Sequence, residues 1–150
     1  MPQSLARLLV HLIYSTKNRE PVLRDDIRDE LQRYTAGILK ELESPAILIN
    51  SVEDHVHVLY VHSKNYSPSK IVEEVKKGSS KWIKTKGQAY AEFHWQNGYG
   101  AFSVSQSGVN EVIKYIEGQK EHHRHRTFQE EYREFLKRYE VPYDERYVWD

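Results

Sequence analysis

From Arg7 to Tyr14 the chain reads RLLVHLIY, a run of branched and aromatic residues that predicts a first strand, followed by a polar loop through Lys17, Asn18, Arg19 and Pro21. Ile27, Leu31, Tyr34, Ile38 and Leu42 then recur at helical spacing, with Asp25 and Asp26 at the positive end of the helix dipole and Pro45 as a stop. Two strand-like runs follow, Ala46 to Val52 and Val56 to His62, separated by Glu53 and Asp54. Ser67 before Pro68 marks a second helix start, and Ile71, Val75, Ser79 and Trp82 share one of its faces as far as about Ile83. Beyond Lys86 and Gly87, extended segments are predicted at Tyr90 to Trp95 and Ala101 to Ser105, with Asn97, Gly98 and Gly100 between them. The last third predicts a helix from Gly108 to about His123 and another opened by Thr127 with Glu130 three residues on, a capping box. The order β-α-β-β-α-β-β-α-α implies an α+β domain with a mostly antiparallel sheet covered by helices. No repeat or linker divides residues 1–150, so one domain is expected.

Two of these elements carry candidate chemistry. In Asp54-His55-Val56-His57-Val58-Leu59-Tyr60, strand alternation sets His55 and His57 on one face and Val56, Val58 and Tyr60 on the other. With the apolar face in the core, the imidazoles stand together at the sheet surface, where they can share a divalent ion if a third ligand comes from elsewhere. Alone, a His-x-His pair is equally an accident of strand composition. In the helix from Gly108, Tyr115, Gln119 and His122 fall within an arc of about 60° beside the stripe of Val109, Val112, Ile113 and Ile116. That arc joins a hydroxyl, a neutral carbonyl and an imidazole; it also suits a boundary tyrosine with its hydroxyl in water.

Composition narrows the classes. There is no cysteine, which excludes a disulfide framework, a thiolate zinc site and a cysteine nucleophile. No apolar run is long enough to span a bilayer and no leader is evident, so a cytoplasmic location without membrane association is expected. Setting tyrosine aside and counting glycine, about 36% of residues are apolar, below the usual ~45–50%. A thin core of this kind leaves burial for a dimer interface or a bound polyanion.

The 22 basic and 22 acidic residues cancel, yet residues 61–100 carry 7 basic and 3 acidic ones. Within that basic island Lys70, Lys77, Lys81 and Lys84 project within about 60° of one another on the second helix, either a solvated face or a phosphate track. Trp95 and Tyr99 are either core and turn residues or stacking surfaces for unpaired bases. A neutral total limits indiscriminate electrostatic binding, and the island places positive charge on the helix expected beside the histidine site.

The strings DHVHVLY (54–60), KGSSKWI (77–83), WQNGYGAFSVSQS (95–107) and YIEGQKEHHRHRTFQEEYREFL (115–136) together resemble the one-tyrosine, IS200-like transposases of small bacterial insertion sequences, members of the histidine-hydrophobic-histidine (HUH) nuclease superfamily. The resemblance runs along essentially the whole chain. It implies a ferredoxin-like, RRM-like fold and a metal-dependent endonuclease and strand transferase acting on single-stranded DNA at hairpin-bearing element ends. It further implies Tyr115 as the nucleophile that forms a 5′-phosphotyrosine, and His55, His57 and Gln119 as ligands of Mg2+ or Mn2+; the neighbouring imidazole of His122 is a candidate auxiliary for deprotonating the phenol, whose ordinary pKa is near 10. A homodimer is implied as well, in which the tyrosine helix of one subunit completes the metal site of the other. One departure from the family pattern Tyr-Ile-x-Asn-Gln is Gly118 in place of asparagine, which loosens a helix by roughly 1 kcal/mol relative to alanine. Two rival readings are a hairpin-binding module without strand transfer and a hydrolase that uses His55, His57 and His122 with water as nucleophile.

Overall fold

A computed structural model describes residues 2–150. Its four strands, β1 (Leu8–Ser15), β2 (Ala46–Ser51), β3 (His55–His62) and β4 (Gly100–Val104), form one antiparallel sheet in the order β2-β3-β1-β4. Helices α1 (Asp25–Glu41) and α2 (Pro68–Ile83) link the strands in the split β-α-β pattern of ferredoxin-like folds, and α3 (Val109–Glu117), α4 (Gln119–His125) and α5 (Phe128–Arg138) follow β4. The expected α+β architecture is therefore present. Among the described residues no helix is long and apolar enough to cross a membrane.

Alternation along the strands builds a core on each side of the sheet. Leu12 and Tyr14 of β1 and Val56, Val58 and Tyr60 of β3 pack against Leu31 and Leu39 of α1 and Ile71 and Val75 of α2. On the other side Ile13 and Phe102 meet Phe128, Tyr132, Phe135 and Leu136 of α5. Local signals set where the helices start. Ser67 accepts a hydrogen bond from the Lys70 amide ahead of Pro68, and Thr127 and Glu130 complete both halves of the capping box at α5.

Three elements depart from the sequence expectations. Tyr90 to Trp95 does not form a strand: Tyr90 ends a 3-10 turn over Gln88–Tyr90, and among the described residues the segment's only pairing is a single bridge from Trp95 to Thr16. The apolar character of this segment serves the core, because Tyr90, Phe93 and Trp95 are buried beneath α2 while local turns satisfy the backbone. Trp95 donates from its indole to Ser79 Oγ and is a core residue, not a platform for bases. Tyr34, expected in the apolar stripe of α1, is 41% exposed and stacks on Trp82 of α2, while Thr35 takes the buried position. The long helix expected from Gly108 to His123 breaks at Gly118 (φ −85°, ψ 14°) into α3 and α4.

Gly100 lets β4 lie flush against α5, since a Cβ there would stand 2.7 Å from Tyr132 Cε1 and 3.0 Å from Phe102 Cε2. Gly100→Ala should destabilise the fold by about 1–3 kcal/mol through overpacking. Urea unfolding measures this, and an unchanged midpoint would mean that the β4–α5 contact has slack.

Candidate metal and tyrosine site

β3 turns His55 and His57 toward the side of the sheet covered by α3, α4 and α5. There the two residues are 1% and 0% exposed rather than standing at an open sheet surface, because the C-terminal helices close over them. Their Nε2 atoms converge on one carboxylate oxygen, Glu131 Oε1 on α5, at 3.3 Å from His55 and 3.0 Å from His57. Gln119 Oε1, also buried, lies 3.2 Å from His55 Nε2. The Nδ1 atoms are held from behind: His55 Nδ1 is 2.6 Å from Asp54 Oδ1, and His57 Nδ1 is 2.8 Å from Nε2 of His11 on β1. Such outer partners fix ring orientation, as they do behind metal-bound histidines.

The electrostatics fit a cation. Glu131 is 3% exposed, yet the two imidazoles outweigh the burial that favours its neutral form and hold its carboxyl far below the ordinary range. Burial likewise opposes protonation of His55, but Asp54 and Glu131 raise it to about 9. Burial dominates at His57 and at His11, lowering both, His11 to about 3. A negative carboxylate is thus walled in by nitrogen and oxygen donors, with a proton on His55 as the positive charge at hand. His55, His57 and Glu131 offer donor atoms within 4.8 Å of one another, and with the Gln119 carbonyl this mixed nitrogen and oxygen set suits a divalent ion.

The same carboxylate reaches the tyrosine. Glu131 Oε2 accepts a hydrogen bond from the Tyr115 hydroxyl, and Arg126 Nη2 donates to that hydroxyl at 2.7 Å while lying 3.8 Å from Oε2. Burial and then the charge of Glu131 push the phenol upward against the pull of Arg126, so Tyr115 rests protonated. His122 makes no hydrogen bond to the hydroxyl; its ring stacks on that of Tyr115 with centroids 4.6 Å apart. Gly118 leaves room for this, since a Cβ there would lie 3.2 Å from His122 Nε2. Asn50 of β2 donates to the Ile116 carbonyl at 2.7 Å and ties α3 to the sheet edge.

His55, His57, Tyr115, Gln119 and His122 therefore come together, and they do so within one chain. Within this single chain the ring of Tyr115 lies 5.9 Å from that of His57. Lys70, Lys77, Lys81 and Lys84 are exposed on α2, but α2 covers the opposite side of the sheet, so the basic helix does not border the site. Lys70 is also paired with Glu74 at 3.0 Å. Sequence reasoning missed Glu131, Arg126 and His11. Glu131 left a trace, as an acid on the stripe of Phe128, Tyr132, Phe135 and Leu136, where an unpaired carboxylate is rarely buried. His11, a polar residue in the middle of the first apolar run, left a similar one.

A family model described as "Transposase IS200 like" matches residues 4–119. The chain belongs to the IS200-like transposase family. Among solved structures, a candidate transposase from Deinococcus radiodurans R1 aligns with a TM-score of 0.62 at 24% identity, covering 79% of this chain and 98% of that one. The REP-associated tyrosine transposase bound to a REP hairpin aligns with a TM-score of 0.61 at 13% identity, covering 82% and 73%. Both likenesses are likenesses of fold. No curated protein matches the chain. In this IS200-like transposase the family match ends at Gln119, so Glu131 and Arg126 enter the site from a segment beyond it.

If the four donors hold a cation, Mn2+ at 100 times its Kd should stabilise the wild-type protein by about 2.7 kcal/mol. Calorimetric titration of Glu131→Gln should show affinity weaker by about tenfold or more. Equal affinities would remove Glu131 from the ligand set.

Proposed function

We propose that this transposase cuts and rejoins single-stranded DNA at hairpin-bearing element ends, with Tyr115 as the nucleophile. The observation that supports this most is that one buried carboxylate, Glu131, contacts both members of the His55–His57 pair and the Tyr115 hydroxyl. His55, His57, Gln119 and Glu131 would hold the divalent ion, Mg2+ or Mn2+, in keeping with the oxygens in the set. When bound, it supplies positive charge that polarises the scissile phosphate and stabilises the departing oxygen.

The chain's own groups account for the remaining steps. The Tyr115 oxygen attacks phosphorus, the bond from phosphorus to the 3′ oxygen breaks, and the products are a 5′-phosphotyrosine and a free 3′-OH. Glu131 Oε2 accepts a hydrogen bond from the phenol and orients it, while the phenolic proton would pass to water and Arg126 is placed to stabilise the oxygen as negative charge develops. The leaving 3′ oxygen takes its proton from water. Because the phosphotyrosine keeps phosphodiester energy, attack by a second 3′-OH reverses the step and joins new ends. The hairpin implied by the family resemblance is supported by the REP-associated neighbour, whose structure contains one. A homodimer would serve to hold two DNA ends.

Incubating the protein with hairpin-bearing oligonucleotides from palindromes flanking its gene and with Mn2+ should give a covalent protein–DNA adduct that Tyr115→Phe does not form. An adduct of equal yield in the variant would refute the nucleophile, and tight binding with no adduct in either protein would leave only a hairpin-binding module. The lysine row supports a second expectation. Because α2 lies away from the chemistry, Lys77, Lys81 and Lys84 would contact stem phosphates there. Replacing any one by Gln should lower the slope of log affinity against log salt by about 1 without changing adduct yield at saturating DNA. An unchanged slope would make the row a solvated face.

A further inference from the structure

A cavity of about 430 Å3 opens beside Tyr115, between β4, α3 and the C-terminal end of α5. That size falls within the roughly 300–1,000 Å3 of small-ligand sites. One wall is Tyr115 itself, and His11 forms part of the floor. His11 is 2% exposed; its Nε2 is engaged with His57, and its Nδ1 makes no hydrogen bond to a described residue and keeps access to solvent. That nitrogen is open to a hydrogen bond from whatever occupies the cavity. The aromatic side is Tyr139, which stacks on Phe102 with ring centroids 4.7 Å apart. Ser103 and Ser105 add hydroxyls, and the charges in the lining are Arg138 and the exposed Glu111.

We infer that this cavity receives the nucleotide adjoining the scissile phosphate, with its base on the Tyr139 side and in hydrogen-bond reach of His11, and with Arg138 toward a neighbouring phosphate. The inference rests on the single-strand cleavage reading above. Its independent support is the surroundings of Tyr115. His122 covers one face of the phenol ring, Glu131 and Arg126 engage its hydroxyl, and Phe135 meets the ring edge-on, so the cavity is where a strand lying across the tyrosine has room for a nucleoside. Aromatic stacking and one charged contact match the way unpaired bases are held without a duplex. His11 thereby gains a positioning role that links the occupant of the cavity to His57.

The test uses the full chain and a hairpin oligonucleotide that the wild type cleaves, with an abasic residue walked through the three nucleotides on either side of the cleaved bond. Affinity is read by fluorescence anisotropy in EDTA, so that no cleavage intervenes. One position next to the bond should weaken wild-type binding fivefold or more when abasic. Val112→Phe, which fills the cavity from α3, should bind the intact strand as weakly as the wild type binds that abasic strand and should show no further loss with it. Arg138→Gln should weaken every strand by a similar factor and keep the abasic step. Circular dichroism and thermal melting identify a variant that fails to fold, in which case Tyr139→Ala, which removes the stacking ring from the rim, replaces it with the same expectation. A flat abasic profile in a wild type that cleaves, or an abasic step that survives in both Val112→Phe and Tyr139→Ala, overturns the pocket alone. A wild type that cleaves no single strand overturns the cleavage reading and the pocket with it.

Discussion

Glu131 is a charged carboxylate in the interior, and most of the surrounding arrangement can be understood as what keeps it there. A buried ion is tolerated only when opposite charge and hydrogen bonds replace the water it has lost. Its Oε1 faces two imidazoles and its Oε2 faces a phenol with a guanidinium behind it. Removing one partner of such a pair while the other stays buried typically costs about 3–5 kcal/mol, so the contacts act as a unit. The carboxylate therefore sets where α5 can sit, keeps His55 receptive to positive charge and holds Tyr115 in its protonated form.

Keeping α5 in that place takes contacts on its other side as well. The capping box fixes where it starts, and Phe128, Tyr132, Phe135 and Leu136 bind it to Ile13 and Phe102 on the sheet. The residues after it return across the structure. Arg133 pairs with Glu145 at 2.8 Å, the Trp149 carbonyl accepts from Arg19, and Asp150 accepts from the amides of Asn97 and Gly98. The chain end thus braces α5 against the loop that follows β1 and the turn that precedes β4. On the far side of the sheet, Lys76 spans the same turn from α2, donating to the carbonyls of Gln96 and Gly98 while burial lowers it to about 8. The two sides of the sheet therefore differ: one holds the cluster of imidazoles, carboxylate and phenol, the other carries the exposed lysine row.

How legible all this was in the sequence depended on the range of the interaction. Strands β1 to β4 and helices α1, α2 and α5 could be read because alternation, helical spacing and capping act within a few residues. The Tyr90 to Trp95 segment was misread because an apolar run looks the same whether it pairs in a sheet or fills a core from a loop. Tyr34 was misread because the phenol at the edge of a stripe stacks across to Trp82 of another helix, a partner 48 residues away in the chain. Gly118 could be seen as a weak point in a helix; that its missing side chain makes room for His122 could not.

The candidate site divides in the same way. By itself the sequence determined that His55 and His57 share one face of a strand, that Tyr115, Gln119 and His122 share one flank of a helix, and that the four blocks in order belong to this family. Periodicity and motif spacing carry those statements, because they depend on backbone geometry and on neighbours along the chain. Tertiary structure alone decided that the histidine face is covered, that the covering helix brings Glu131 and Arg126, that His11 stands behind His57, and that the lysines lie across the sheet. Those outcomes depend on which surfaces bury together and on a charge that must find its partners there, and no pattern within one element encodes the identity of what packs against it.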